Sequence, residues 1–268
     1  MHEAAFRHCG ISATYDLFDV TPEDFCRKLE DLGRLGIKGA NVTVPHKVTA
    51  FRFIKEKGSL DREALKYGAV NTIYFRDGVI RGTNTDGIGF LRSLKEDLKF
   101  SQAGKRVFVI GAGGAARAIV IALGDTPEKI IINDIRPDTI EGLIADYRTL
   151  YKTGRVEGYA GPDRVERHKI IRETDLLINA TGIGMHSGDD HLFEYDRIER
   201  SLSVFDVIYN PLETALLRTA KERGCRSVNG LGMLLYQGAE AFRVWTSREP
   251  PIEVMREALT GRVKSLQV

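Results

Sequence analysis

Long apolar runs are missing from this chain of 268 residues. Its longest apolar stretch, residues 106–123, is interrupted by Arg106, Arg117 and several glycines, which excludes a bilayer-spanning helix. Cysteine is scarce: Cys9, Cys26 and Cys225 are odd in number, far apart and form no CxxC pair. This excludes a disulfide scaffold and a zinc or redox site built on cysteine, and a reducing, cytoplasmic compartment is expected. A surplus of one charge is also lacking, since 39 Lys+Arg face 37 Asp+Glu and the signs are interspersed. No nucleic-acid or membrane partner is therefore expected. Residues 1–6 have neither the basic start nor the apolar core of a signal peptide, so export is not expected.

What is present is enough apolar material, 43%, for one large core or two ordinary ones, and 27 glycines gathered in short clusters. Thr21-Pro22-Glu23-Asp24 offers a helix start, Phe25, Leu29, Leu32 and Leu35 an apolar stripe, and Gly36 a stop. Residues 39–44 read as a strand closed by Pro45, and 69–76 with 79–82 as a hairpin around Arg76-Asp77-Gly78. After residue 102 the pattern changes to buried strands alternating with helices. Strands are expected at 106–110, 129–134, 176–179 and 203–207, with helices at 114–123 and 138–151. The alternation predicts an α/β fold with a parallel, doubly wound sheet. Helices at 231–245 and 252–259 are expected to pack back onto the first unit.

Residues 107–118 run from a buried strand through Gly111-Ala112-Gly113-Gly114-Ala115 into a helix. Glycines there admit a pyrophosphate to the backbone, and the helix start supplies free N–H groups, so a Rossmann-type dinucleotide site is predicted. Asp134 follows about 20 residues later, where an acid accepts hydrogen bonds from ribose hydroxyls and repels a 2′-phosphate, which argues for NAD. Arg136, two residues on, is placed to reach such a phosphate and argues for NADP.

Three polar clusters stand in the first unit at residues 41–47, 68–72 and 82–87. Taken singly, each reads as a turn or a helix cap, with Asp86 placed to cap the helix after it. Taken together they resemble the shikimate dehydrogenase family, whose NVTxPxK, GAVNT and NTDxxG stretches appear as Asn41-Val42-Thr43-Val44-Pro45-His46-Lys47, Gly68-Ala69-Val70-Asn71-Thr72 and Asn84-Thr85-Asp86-Gly87-Ile88-Gly89. The resemblance continues through GAGGAxRA at 111–118, NATxxGM at 179–185, Asp206-Val207-Ile208-Tyr209-Asn210-Pro211 and residues 229–237.

That resemblance implies an enzyme with a substrate domain at 1–100 plus 231–268 and a dinucleotide-binding domain at 101–230. It implies an NADP- or NAD-linked interconversion of shikimate and 3-dehydroshikimate in aromatic biosynthesis, with a small molecule as partner and a monomer or homodimer as the assembly. Lys47 and Asp86 match the family's catalytic pair, while Thr43, Asn71, Tyr209 and Gln237 match substrate contacts. Gly111, Gly113, Gly114, Ala115, Asp134, Arg136, Ala180, Thr181, Gly230 and Met233 fall where the family holds its dinucleotide. Removing hydride from a carbinol carbon requires the hydroxyl proton to leave too, so Lys47 is expected to move the proton and Asp86 to orient it.

The family's pattern also places a strand and a Ser-x-Ser turn before residue 1, so part of the carboxylate clamp and a sheet strand are expected to be missing here. At the adenosine end, the NADP-type Asn-Arg-Thr is replaced by Asp134-Ile135-Arg136, closer to the NAD-using quinate/shikimate branch. The alternatives are a quinate/shikimate enzyme or a catalytically idle binder of a dinucleotide or shikimate. Residues 186–191 hold four potential metal ligands, yet the run reads as a solvated loop and no metal is expected.

Overall fold

A computed structural model describes residues 1–265. It contains two compact units, one of Met1–Gly89 with Leu235–Thr260, the other built on Phe90–Leu234.

The first unit begins with α1 (His2–His8), α2 (Phe25–Arg34), β1 (Gly39–Asn41), α3 (Lys47–Lys57), β2 (Ser59–Leu60) and α4 (Arg62–Tyr67). It continues through β3 (Thr72–Arg76), β4 (Val79–Thr83) and the start of α5 (Asp86–Glu96). The four strands lie in the order β1-β3-β4-β2. The hairpin β3–β4 forms at the expected place, because Asp77 and Gly78 both take positive φ (55° and 75°), as a two-residue turn between right-twisted strands requires. α2 starts later than expected: Thr21 accepts from the Asp24 N–H in a turn of its own, and the helix begins at Phe25. β1 is shorter than expected. Its ladder ends where Asn41 meets Thr72, the first residue of β3, and residues 43–46 then turn, with the His46 N–H on the Thr43 carbonyl. Phe25, Leu29 and Leu32 of α2 join Ala50 and Ile54 of α3, Ile73 and Ile80 in one core.

The second unit contains β5 (Arg106–Ile110), α6 (Gly114–Leu123), β6 (Lys129–Asp134), α7 (Pro137–Tyr151), β7 (Val156–Ala160), α8 (Arg164–Ile171) and β8 (Leu176–Asn179). β9 (Ser203–Asp206), α9 (Ala215–Glu222) and β10 (Arg226–Val228) follow. All six strands run parallel in the order β10-β9-β8-β5-β6-β7, the doubly wound sheet that the alternation predicts. The order reverses beside β5, so the loops after β5 and β8 open at a topological switch point, where ligands of such sheets bind. The edge strands β7 and β10 escape notice in the sequence. β7 is exposed along much of its length, β10 is half-buried with Arg226 exposed, and both lack the apolar run of the central strands.

α10 (Leu231–Thr246) and α11 (Ile252–Ser265) complete the fold. Leu235, Tyr236, Ala239 and Phe242 of α10 bury against Ala5 and Phe6 of α1 and Met255 of α11. The compact units divide inside α5, after Gly89, and inside α10, before Leu235. Among the described residues no helix is long and apolar enough to cross a membrane.

Candidate active site

In the first unit, chain topology gathers the three polar clusters that are far apart in sequence. Lys47 opens α3 and Asp86 opens α5, and their side chains meet with Nζ 2.8 Å from Oδ2. Asp86 Oδ1 accepts a second hydrogen bond, from Asn71 Nδ2 at 2.9 Å. Asn71 is buried, and its amide orientation is fixed because Oδ1 accepts from the Thr85 N–H at 2.9 Å. Nδ2 therefore points to Asp86, and also lies 3.5 Å from Gln237 Oε1 on α10. Lys47, Asp86, Asn71 and Gln237 thus form one cluster. The Lys47 side chain stays 28% exposed, so its ammonium reaches both the carboxylate and solvent. Thr43 is brought near in sequence only: it lies exposed in the turn after β1, and its carbonyl holds the His46 N–H. His46 stacks on Phe25 with ring centroids 4.4 Å apart, and its Nε2 lies 2.8 Å from the Val20 carbonyl, a structural position.

In the second unit, β5 ends in Gly111, whose φ of +108° is closed to most side chains. A Cβ there would stand 2.7 Å from the Ala180 carbonyl oxygen, so the turn is pressed against the loop after β8. Gly113 and Gly114 differ: a Cβ on either meets nothing within 4 Å. Gly113 caps α6 without a side-chain bond, and Gly113, Gly114 and Ala115 are exposed, which leaves free N–H groups around open space. This cradle fits a pyrophosphate. Asp134 closes the turn from the end of β6, its Oδ2 accepting from the Ala112 N–H at 2.8 Å and its Oδ1 from the Arg136 N–H at 3.0 Å. Burial pushes its carboxyl upward, but the N–H groups of Arg136 and Ala112 and the Arg136 guanidinium outweigh burial and hold it below the usual carboxylate value. The Arg136 guanidinium lies 3.5 Å from the same carboxylate and is otherwise largely exposed. Asn133 faces the other way, buried, donating to the Tyr159 and Gly161 carbonyls and accepting from Arg167.

Two loops beside the turn are held by a residue to which sequence reasoning gave no role. Asp206 is fully buried at the end of β9 and accepts from Asn179 Nδ2, the Ile208 N–H and the Thr214 hydroxyl at 3.0, 3.1 and 2.7 Å. Burial raises its carboxyl to about 6 against those three donors. Asn179 in turn accepts from the Thr181 N–H and hydroxyl, so the Ala180-Thr181 loop and the Tyr209 loop hang from one carboxylate. The signal was there, an acid at the C-terminal end of a buried parallel strand, but its motif reads first through Tyr209. Tyr209 itself is 41% exposed. Gly230 packs against the same loop, and a Cβ on it would meet the Val207 carbonyl oxygen at 1.9 Å. Met233 follows on α10, partly buried. In the 186–191 run, Asp189 accepts the Gly184 and His186 N–H groups and His191 stacks on Tyr195, so these side chains brace their loop.

A parallel sheet that opens through a bare glycine turn onto an uncapped helix, with an acid bonded to that turn, defines an α/β protein of the dinucleotide-binding type. The comparisons narrow the class. The shikimate dehydrogenase substrate binding domain matches residues 1–73, and the shikimate 5′-dehydrogenase C-terminal domain matches residues 230–260. The shikimate dehydrogenase (NADP(+)) of Methanopyrus kandleri is 42% identical over 267 residues, covering 98% of this chain and 90% of that protein. Two solved structures superpose closely. Shikimate 5-dehydrogenase from Listeria monocytogenes, in complex with shikimate and NAD, has a TM-score of 0.86 and 34% identity, covering 96% of this chain and 90% of that one. Quinate dehydrogenase from Corynebacterium glutamicum, in complex with NAD, has a TM-score of 0.88 and 28% identity, covering 97% and 92%. This chain belongs to the shikimate dehydrogenase family.

Proposed function

We propose that this protein catalyses the reversible reduction of 3-dehydroshikimate to shikimate, a step of aromatic biosynthesis, with its first unit holding the substrate and its second the dinucleotide. The observation that carries the reading is the Lys47–Asp86–Asn71 cluster, assembled from three separate strand and helix ends in a chain of this family. The nicotinamide, when bound, supplies or takes the hydride. Lys47 moves the proton: one ammonium N–H is committed to Asp86, which leaves two to address the substrate oxygen. Asp86 holds the ammonium and, with Asn71 and Gln237, orients the ring; Thr43 and Tyr209 are further substrate contacts on the strength of the family's motifs alone. Gly111, Gly113, Gly114 and Ala115 take the pyrophosphate, and Ala180, Thr181, Gly230 and Met233 border the nicotinamide.

For the cofactor, Asp134 favours NAD. Each of its oxygens takes one backbone N–H and keeps lone pairs for ribose hydroxyls, while its charge repels a 2′-phosphate. Arg136 already faces that carboxylate and must turn away to hold a phosphate. The three free cysteines, Cys9, Cys26 and Cys225, support a reducing, cytoplasmic setting. The test is initial rates at the reduced-nicotinamide absorbance band, with shikimate and quinate each offered NAD and NADP. Turnover is expected with shikimate, faster with NAD; turnover with quinate alone would transfer the chain to the quinate branch, and none with either would leave it an idle binder.

A further inference from the structure

A longer hydrogen-bond chain in the first unit ends on the Asp86 carboxylate that Lys47 also addresses, and from Tyr15 to Asn71 every donor in it points toward Asp86. The Tyr15 hydroxyl donates to Asn41 Oδ1 at 2.8 Å. Asn41 Nδ2 donates to the Thr72 hydroxyl at 3.3 Å, and the Thr72 hydroxyl donates to Asn71 Oδ1 at 2.9 Å. Asn71 Nδ2 donates to Asp86 Oδ1 at 2.9 Å.

The direction is fixed at two points by groups that have no choice. Asn41 Nδ2 also lies 3.4 Å from the Asn71 carbonyl, which can only accept, so Oδ1 must face Tyr15 and the tyrosine must donate. The Thr85 N–H can only donate, so Asn71 must offer it Oδ1 and turn Nδ2 to Asp86. Aligned bonds of this kind polarise one another, and a buried member left unpaired costs more than the bond alone.

Tyr15 is itself held. Its ring stacks on His2 with centroids 4.6 Å apart and leans on Trp245 at 6.1 Å, while Trp245 Nε1 donates to the Ile73 carbonyl on β3. Burial raises the Tyr15 phenol above its ordinary value, which keeps the proton on the oxygen that must donate.

We propose that Tyr15 is a positioning residue for the reaction, bracing through Asn41 and Thr72 the Asn71 amide that the Thr85 N–H orients and that holds Asp86. The inference rests on the reading of Lys47 and Asp86 as the catalytic pair. It explains why a tyrosine in a segment without regular structure is worth an aromatic stack: phenylalanine would fill the same space and leave Asn41 Oδ1 without its donor.

The test compares kcat and KM for shikimate among wild type, Tyr15→Phe, Thr72→Val, Thr72→Ser and the Tyr15→Phe/Thr72→Val double variant, with thermal melts alongside. The proposal expects kcat to fall about ten-fold in Tyr15→Phe and in Thr72→Val, with KM within about two-fold. Thr72→Ser, which keeps the hydroxyl, recovers most of the rate that Thr72→Val loses. The double variant is no slower than Thr72→Val alone, because a chain already cut cannot be cut again. Multiplied losses in the double variant, a Tyr15→Phe enzyme with unchanged kcat, or a Thr72→Ser enzyme as slow as Thr72→Val would each overturn it. Should Tyr15→Phe fail to fold, Asn41→Leu, which cuts the chain between Tyr15 and Thr72, decides: the same fall in kcat supports the proposal and an unchanged kcat overturns it. Lys47→Ala separates the two layers: if it keeps its kcat, the catalytic reading itself fails, whereas its collapse beside an unaffected Tyr15→Phe removes only the positioning role.

Discussion

The polar cluster of the first unit and the glycine turn of the second are built from opposite materials. Around Asn71, amides, hydroxyls and the Asp86 carboxylate bond one another, and function depends on which atom donates. Around Gly111 the working groups are backbone N–H groups, and function depends on side chains being absent. The first site is sensitive to isosteric changes that alter one proton, and the second to a single added methyl. This division suits a hydride-transfer enzyme, in which proton movement needs titratable side chains and dinucleotide binding needs bare backbone.

The sharpest break in the comparison is expected from Asp86→Asn, which keeps the shape and removes the charge that holds Lys47. A kcat loss of about 10²-fold or more is predicted, with dinucleotide affinity unchanged by titration of bound nicotinamide fluorescence. The glycine turn is sharpened by a pair of variants. Gly111→Ala forces a side chain into positive φ and onto the Ala180 carbonyl, so it should lower the melting temperature, at a cost of about 1–3 kcal/mol, and weaken dinucleotide binding as well. Gly113→Ala has open space and should leave the melt in place while weakening binding alone. Equal melts for both would show that the turn is not packed as described.

Asp206 gives a pH test. Its folded value of about 6 lies above the unfolded reference of ~3.9, so between those values the folded state binds the extra proton. Its contribution is therefore fully favourable below about 4 and declines as pH rises to about 6, by on the order of 3 kcal/mol. Asp206→Asn should flatten the stability curve across that window, measured by denaturant unfolding at each pH; an unchanged slope would deny the shift. The smallest effect is expected at Asp134→Asn, which should move the ratio of kcat/KM for NAD over NADP about ten-fold toward NADP. No movement would place the preference elsewhere.

Much of this was legible from residues alone, for reasons that differ by region. The alternation of apolar strands with helices and the glycines at 111–114 announce the second unit, since central parallel strands are continuous apolar runs. β7 and β10 were missed because edge strands carry no such run. In the first unit Lys47, Asn71 and Asp86 stood out only through the family's motifs. What joins them is the pairing of β1, β3 and β4, and pairing register is a tertiary property. Tyr15 carries no local signal, because a hydrogen bond to a residue 26 positions away leaves none, and Asn41 stands out only as the first residue of its motif. The motifs mark Thr43 beside Asn71, yet none of the described hydrogen bonds ties its side chain to the cluster.

The most direct test of the account is a single-turnover measurement of wild type and Lys47→Ala with saturating shikimate and NAD, with dinucleotide affinity measured on the same samples. The account predicts that the rate of nicotinamide reduction collapses by about 10²–10⁴-fold while the affinity stays within about two-fold. A Lys47→Ala enzyme that reduces the dinucleotide at the wild-type rate would contradict it.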